Sequence, residues 1–457
     1  MPEYRNKIDK HDVLLLVFAL VVAFMGGSSR YDAIQIVPLR ALSVLFLIWA
    51  LYRIDLGAVR AQATLIVTFV AFAALTAVQL VPLPPGVWSA LPGRDVIHQL
   101  DSALGEEVWR PLTFTPARTW NALASLVVPA AALALAVSSR VSTLLLLRAF
   151  AGLGVLNAIF GLAQISGFAP GVLYFYEVTN AGAPVGLFAN ENHAAIFAAC
   201  SLLVVANLFI RAREESSSAL ERLIYSFSFC LILLTCLVGE SRAGLVASFA
   251  AVVASIAMLS LAPQRASSIR GRSAFWRWFD ERPRLVLVFP VLIISLTAGA
   301  FLILERTPAF QEIFAEDSIA DLRWALLPVL REMAEMHWLV GTGLGSFEQV
   351  YHVFERPDLL MPRYVNQAHN DWAQVIIEGG IVVALLIITL GVSVARSVVG
   401  ISRSRWGGAH ALFWISIFSL VGVASMVDYP LRTPLFQTLM VWLLVALSKD
   451  MCDRKTP

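Results

Sequence analysis

Residues 192–211 read NHAAIFAACSLLVVANLFIR and residues 243–262 read AGLVASFAAVVASIAMLSLA. The two runs hold one charged side chain between them, Arg211, at the very end of the first. An α-helix of about 20 apolar residues spans the roughly 30 Å hydrocarbon core of a bilayer. Lipid offers an exposed N–H or C=O no partner, so each run must be helical. Working outward, comparable runs lie at 12–27, 33–51, 61–81, 119–138, 143–165, 219–239, 285–304, 373–395, 409–427 and 433–448. The expected fold is an all-α polytopic membrane protein with about 12 transmembrane helices, a single integral membrane domain over 1–457. The first run follows Arg5, Lys7 and Lys10 and is long for a cleaved signal-peptide core. Met25-Gly26-Gly27 offers no convincing cleavage site, so the run counts as a span.

Composition agrees. Of 457 residues, 58% are apolar and 14% charged, with a mean hydropathy of +0.74. A soluble domain averages about 25% charged residues. So few charges cannot cover a soluble surface of this size, and disorder and disulfide scaffolds are excluded as well. A net charge of +2 without a long basic run predicts no nucleic-acid partner. Basic residues concentrate in alternate loops, most densely at Arg265, Arg270, Arg272, Arg277, Arg282 and Arg284, and all four lysines lie in the terminal segments. The positive-inside rule then places both termini and a basic loop at 263–284 in the cytoplasm. The outward loop 305–372, between helices 9 and 10, is far longer than a connector needs. Its Leu322, Leu326, Leu330 and Met333 recur at helical spacing, which predicts amphipathic helices at the outer membrane face. No internal repeat divides the chain into two similar halves, which counts against a major-facilitator-type transporter.

Four outward groups can carry chemistry. Ala368-His369-Asn370-Asp371-Trp372 leads into the run at 373. Asn370 or Asp371 suits the N-cap, leaving His369 as neutral imidazole near the positive end of a helix dipole; a plain capping turn is the alternative. Gly239-Glu240-Ser241-Arg242-Ala243-Gly244 is a tight hairpin. Its Arg242, like Arg323 in Asp321-Leu322-Arg323-Trp324, either binds an anion such as phosphate or snorkels and pairs locally. Asn190, Asn192 and His193 in Asn190-Glu191-Asn192-His193 either cap a helix or meet a sugar hydroxyl. In Asp428-Tyr429-Pro430-Leu431-Arg432, turn formation explains the proline but not Asp428 and Arg432, which are expected to pair. Gly341-Thr342-Gly343-Leu344-Gly345 lacks the βαβ context of a dinucleotide site and is expected to be a flexible turn. Cys200, Cys230 and Cys236 fall inside spans and Cys452 in the tail, with no metal-ligand spacing, so no metal or cofactor is expected.

These motifs, in this order and placement, resemble the O-antigen ligase and Wzy-type polysaccharide polymerase superfamily of bacterial inner-membrane proteins. The resemblance rests on Asn190 to His193, Ser241 to Gly244, Arg323-Trp324, Gly341 to Phe347, Ala368 to Asp371, Glu378-Gly379-Gly380 and the Asp428 to Pro434 turn. It implies a GT-C-like fold and a metal-independent glycosyltransferase with a periplasmic active site. The implied donor is an undecaprenyl-diphosphate-linked glycan, and the acceptor is lipid A core or a growing polysaccharide. In that family's terms Arg242 and Arg323 match the diphosphate-binding arginines, and His369 matches the histidine that activates the acceptor hydroxyl. Asn190, Asn192, His193, Asn370, Asp371, Asp428 and Arg432 fall into supporting or glycan-contacting places. The alternative is a lipid-linked glycan flippase or transporter, which needs ionisable groups deep in the spans. Arg40 and Arg148 are the candidates for it, and the gathering of polar motifs on one face favours the enzyme.

Overall fold

The computed structural model describes residues 9–137, 141–166, 171–215, 217–239, 241–262, 318–360, 365–404 and 407–453. In chain order its main helices are α1 (Lys10–Met25), α2 (Ile36–Tyr52), α3 (Ala63–Val78), α4 (Pro116–Val137), α5 (Thr143–Ile165), α6 (Glu191–Glu214) and α7 (Ala219–Val238). They continue with α8 (Arg242–Leu261), α9 (Ser318–His337), α10 (Phe347–Phe354), α11 (Asp371–Ser402), α12 (Gly407–Val427) and α13 (Pro434–Asp453). Among the described residues, eight helices have the length and apolar character to cross a membrane, namely α4 to α8 and α11 to α13. Each of α1, α2 and α3 is a shorter helix of 16 or 17 residues on one of the first three apolar runs. The run expected at 285–304, the basic loop at 263–284 and residues 305–317 of the long loop lie outside the described residues.

Polar side chains start these helices by accepting the N–H groups that a first turn leaves without partners. Ser142 caps α5, Asn190 caps α6, Ser241 caps α8 and Asn370 caps α11. Helix α6 is apolar on every side, as a helix surrounded by protein must be, and nearly its whole length is buried against α5, α7, α8 and α12. Charges at the end of the bundle where α6 finishes are paired off. Arg211 meets Asp450 at 2.8 Å, His410 meets Glu214 at 3.0 Å, and Arg148 meets Glu221 at 2.6 Å.

The opposite end, where α6, α8 and α11 begin, carries the loops. Here α9 buries Leu326, Leu330 and Met333 against Phe347 and Tyr351, forming a second apolar cluster that reaches Ala368 and Ile377. The helical period of 326–333 is therefore used chiefly against protein, while Trp324 and Trp338 remain exposed. Strand β1 (Pro82–Leu83) pairs antiparallel with β2 (Arg110–Pro111) beside this cap.

Helix α11 is broken at Gly380, whose φ of 64° and ψ of −163° no helix accepts. A break inside a membrane helix frees backbone groups that need partners. The glycine segment after α9 supplies them. Thr342 N–H donates to Ile377 C=O at 3.0 Å, Gly343 N–H to Glu378 C=O at 2.9 Å, and Ile381 N–H to Leu339 C=O at 3.3 Å. Gln79, at the end of α3, donates to the same Glu378 carbonyl at 3.0 Å and accepts Leu344 N–H at 2.9 Å. Residues 341–345, expected as a flexible turn, are instead a strap fixed along the broken helix.

Candidate functional site

The turn Ala368-His369-Asn370 is held from both sides. Gln374 accepts Ala368 N–H at 2.9 Å, and Asn370 accepts Ala373 N–H at 3.0 Å. Asn370 is thus the cap, and Asp371 is the first helical residue. Between these anchors His369 adopts φ +50°, and it alone among the described non-glycine residues has positive φ. Such a conformation costs energy in an L-residue and persists only where neighbours enforce it.

The imidazole of His369 is a quarter exposed, with Nδ1 4.0 Å from Asp428 Oδ1. The same carboxylate oxygen lies 3.5 Å from Nε2 of His193, which is buried in the first turn of α6. Both rings stand edge-on to Tyr429, with centroids at 4.9 Å and 5.1 Å. Asp428, at the end of α12, is itself buried and accepts Tyr429 N–H at 2.8 Å. Three segments far apart in sequence thus put two imidazoles on one carboxylate.

Arg432 does not pair with Asp428. The turn at 430–432 directs it the other way, where its Nε meets Asp371 at 3.3 Å and its terminal nitrogens meet Glu378 at 3.2 Å and 3.3 Å. A fully buried carboxylate is stable only when paired and hydrogen-bonded, and Glu378 meets both demands. It also accepts Phe347 N–H and the Gln374 amide, each at 3.2 Å. Glu378 and Gln374 are the residues here to which sequence reading gave no role. Their signal was a carboxylate and an amide inside an apolar run.

Asn192 accepts the Ser241 hydroxyl at 2.6 Å, which ties α6 to α8 beside Arg242, the first residue of α8. Arg323 falls in the first two turns of α9. Trp372, expected in the interface belt, donates to Gly422 C=O at 2.9 Å and lines a cavity.

That cavity, about 530 Å³, lies between α2, α3, α4, α10, α11, α12 and α13. At the loop end its wall includes Ser28, Arg40, Arg118, Gln367 and Arg432. Farther along, Ile387, Leu390, Val394, Phe418 and Leu444 make it apolar. Asp371 and Val394 both line it, 23 positions apart on α11, which an unbroken helix would cover in about 35 Å. Polar at one end and apolar for most of its depth, it suits an amphiphile. Among the described residues no group of three or more His, Cys, Asp or Glu is placed to hold a metal ion.

Residues 227–388 match the family model described as O-Antigen ligase. The match bears out the resemblance seen in the sequence. It covers Arg242, Arg323, His369, Asn370, Asp371 and Glu378, while His193, Asp428 and Arg432 lie outside it. No curated protein matches the chain.

Proposed function

We propose that the chain transfers a glycan from an undecaprenyl-diphosphate-linked donor to an acceptor hydroxyl at the periplasmic face of the bacterial inner membrane. The acceptor is lipid A core in a ligase or the next repeat in a polymerase. The observation that carries this reading is a strained His369 held beside the buried carboxylate of Asp428, on a turn whose flanking residues Gln367 and Asp371 line the polar part of an amphiphilic cavity. The match to the O-antigen ligase model supports it.

His369 takes the proton of the acceptor hydroxyl as that oxygen forms a bond to the anomeric carbon. The bond from that carbon to the diphosphate breaks, and the electron pair leaves on the diphosphate. A diphosphate is already a competent leaving group, so charge stabilisation and one base suffice. Asp428 faces Nδ1 at 4.0 Å, the side from which a carboxylate orients an imidazole and selects its tautomer. The 4.0 Å separation is longer than a hydrogen bond, and contacts of this kind tighten when substrate binds. Arg242 and Arg323 are assigned to the diphosphate. Asn190 and Asn192 act through the caps and ties that position α6 and α8. His193 braces Asp428 from behind, while Asp371 and Arg432 hold the mouth of the cavity.

The test uses purified protein in detergent with an undecaprenyl-diphosphate oligosaccharide, alone and with lipid A core, its products resolved by gel and mass spectrometry. Elongation of donor alone identifies a polymerase, and transfer only with core identifies a ligase. Identical product from wild type and His369→Ala would remove His369 as the base.

A further inference from the structure

Every other arginine whose side chain lines the cavity has an acidic partner. Arg432 meets Asp371 and Glu378, and Arg118 meets Glu348 at 3.2 Å while lying 3.5 Å over the ring of Tyr31. Arg40 differs. It lies one turn into α2, half-buried, and its guanidinium donates to the Asn121 amide oxygen at 2.9 Å and to the Asn121 carbonyl at 3.3 Å. Among the described residues no carboxylate lies within ion-pair distance of it. A guanidinium stays charged at any working pH, and a half-buried charge in the wall of a membrane protein is costly without a counter-charge. Asn121 neutralises nothing; it aims the group. Its neighbours in the wall include the apolar Ile36, Leu39 and Phe72, and the lining carboxylates Glu348, Asp371 and Glu378 are engaged by Arg118 and Arg432, so the missing anion is left to whatever fills the cavity.

We infer that Arg40 is a phosphate ligand for a long-chain lipid seated in this cavity, binding from the α2 wall of the space that Arg432 also lines. The chemistry fits a planar two-pronged donor meeting phosphate oxygens above a hydrocarbon tail. This deepens the reading above and rests on it in one respect, that the lipid is the glycan donor. A bilayer phospholipid presents the same phosphate, and the experiment separates the two.

Native mass spectrometry of the full chain in detergent would measure retention of undecaprenyl diphosphate, undecaprenol and phosphatidylglycerol. Arg40→Gln is expected to weaken undecaprenyl diphosphate about tenfold to a hundredfold, the scale of one lost charge-assisted hydrogen-bond pair. Arg40→Lys should recover part of the loss, and undecaprenol should bind both variants as it binds wild type. Equal retention of the diphosphate and of phosphatidylglycerol by wild type and a folded Arg40→Gln would overturn the proposal. A parallel loss of undecaprenol would also overturn it, because Arg40 would then only hold the cavity open. Loss of phosphatidylglycerol with the diphosphate retained keeps Arg40 as a phosphate ligand but assigns the cavity to bilayer lipid. The catalytic reading fails separately: His369→Ala should bind all three probes normally and transfer nothing.

Discussion

At the scale of single residues, His369 joins a backbone strain to a chemical role, and the two can be separated by substitution. Asparagine tolerates the left-handed region better than most residues and lacks a basic nitrogen. His369→Asn should therefore keep the thermal midpoint of the wild type while transfer falls about 10²- to 10⁴-fold, the usual contribution of a positioned base. A large drop in midpoint would show that the imidazole serves the fold instead. Asp428→Asn removes the charge facing Nδ1 and lets the ring take the wrong tautomer. Transfer should fall about a hundredfold or more in kcat with little change in KM, measured by initial rates over donor concentration. The sequence showed His369 and Asp428 as candidates but mispaired Asp428 with Arg432. The two share one short turn, and turn formation alone explains neither. The turn between them sends one side chain to α6 and the other to α11, and buried partners there outbid a neighbour in sequence.

Among elements, the decisive join is the strap along the broken α11. A Cβ on Gly380 would stand 2.7 Å from the Val340 carbonyl carbon and 2.9 Å from Gly341 N, on a φ of +64°. Gly380→Ala should cost several kcal/mol, from strain and a backbone clash together, and lower the thermal midpoint by many degrees in a differential scan. A second join is the cap packing around Phe114, which carries the buried Arg94 guanidinium 3.9 Å from its ring centre and the His337 ring 5.8 Å away. Burial, with Arg94 beside it, holds His337 near a pKa of about 4, below its ordinary 6.5. The folded cap prefers neutral imidazole. That contribution is fully present above about pH 6.5 and is lost as pH falls toward 4, of order 3 kcal/mol across the window. Hydrogen exchange over α9 and α10 should quicken through that range, and His337→Phe should flatten the dependence. The helices themselves were legible, because apolar length alone dictates them. The strap was not: the function of its glycines depends on a break in a helix that reads as continuous, and on Gln79, some 260 residues earlier.

The whole molecule adds the cavity, which no local pattern could announce, since its wall is assembled from seven helices and the loops between them. One face of a polytopic bundle collected the polar motifs; the same bundle leaves an apolar bay beneath them. The two are useful together only if one ligand spans both. Gly391 tests that directly. It lines the apolar part of the bay, twenty residues past Asp371, and a Cβ built on it meets nothing within 4 Å. A large side chain there enters open space instead of packed protein, so Gly391→Phe should fold with an unchanged thermal midpoint. It should nonetheless obstruct a long tail. With an undecaprenyl-diphosphate donor kcat/KM is expected to fall about tenfold or more, the scale of a lost apolar contact surface compounded by a blocked path. A donor carrying the same glycan on a ten-carbon chain should be handled alike by variant and wild type, because such a tail ends before it reaches Gly391. Equal losses for both donors would mean that the substitution acts on the mouth of the bay, and equal rates for both proteins would mean that the tail lies elsewhere.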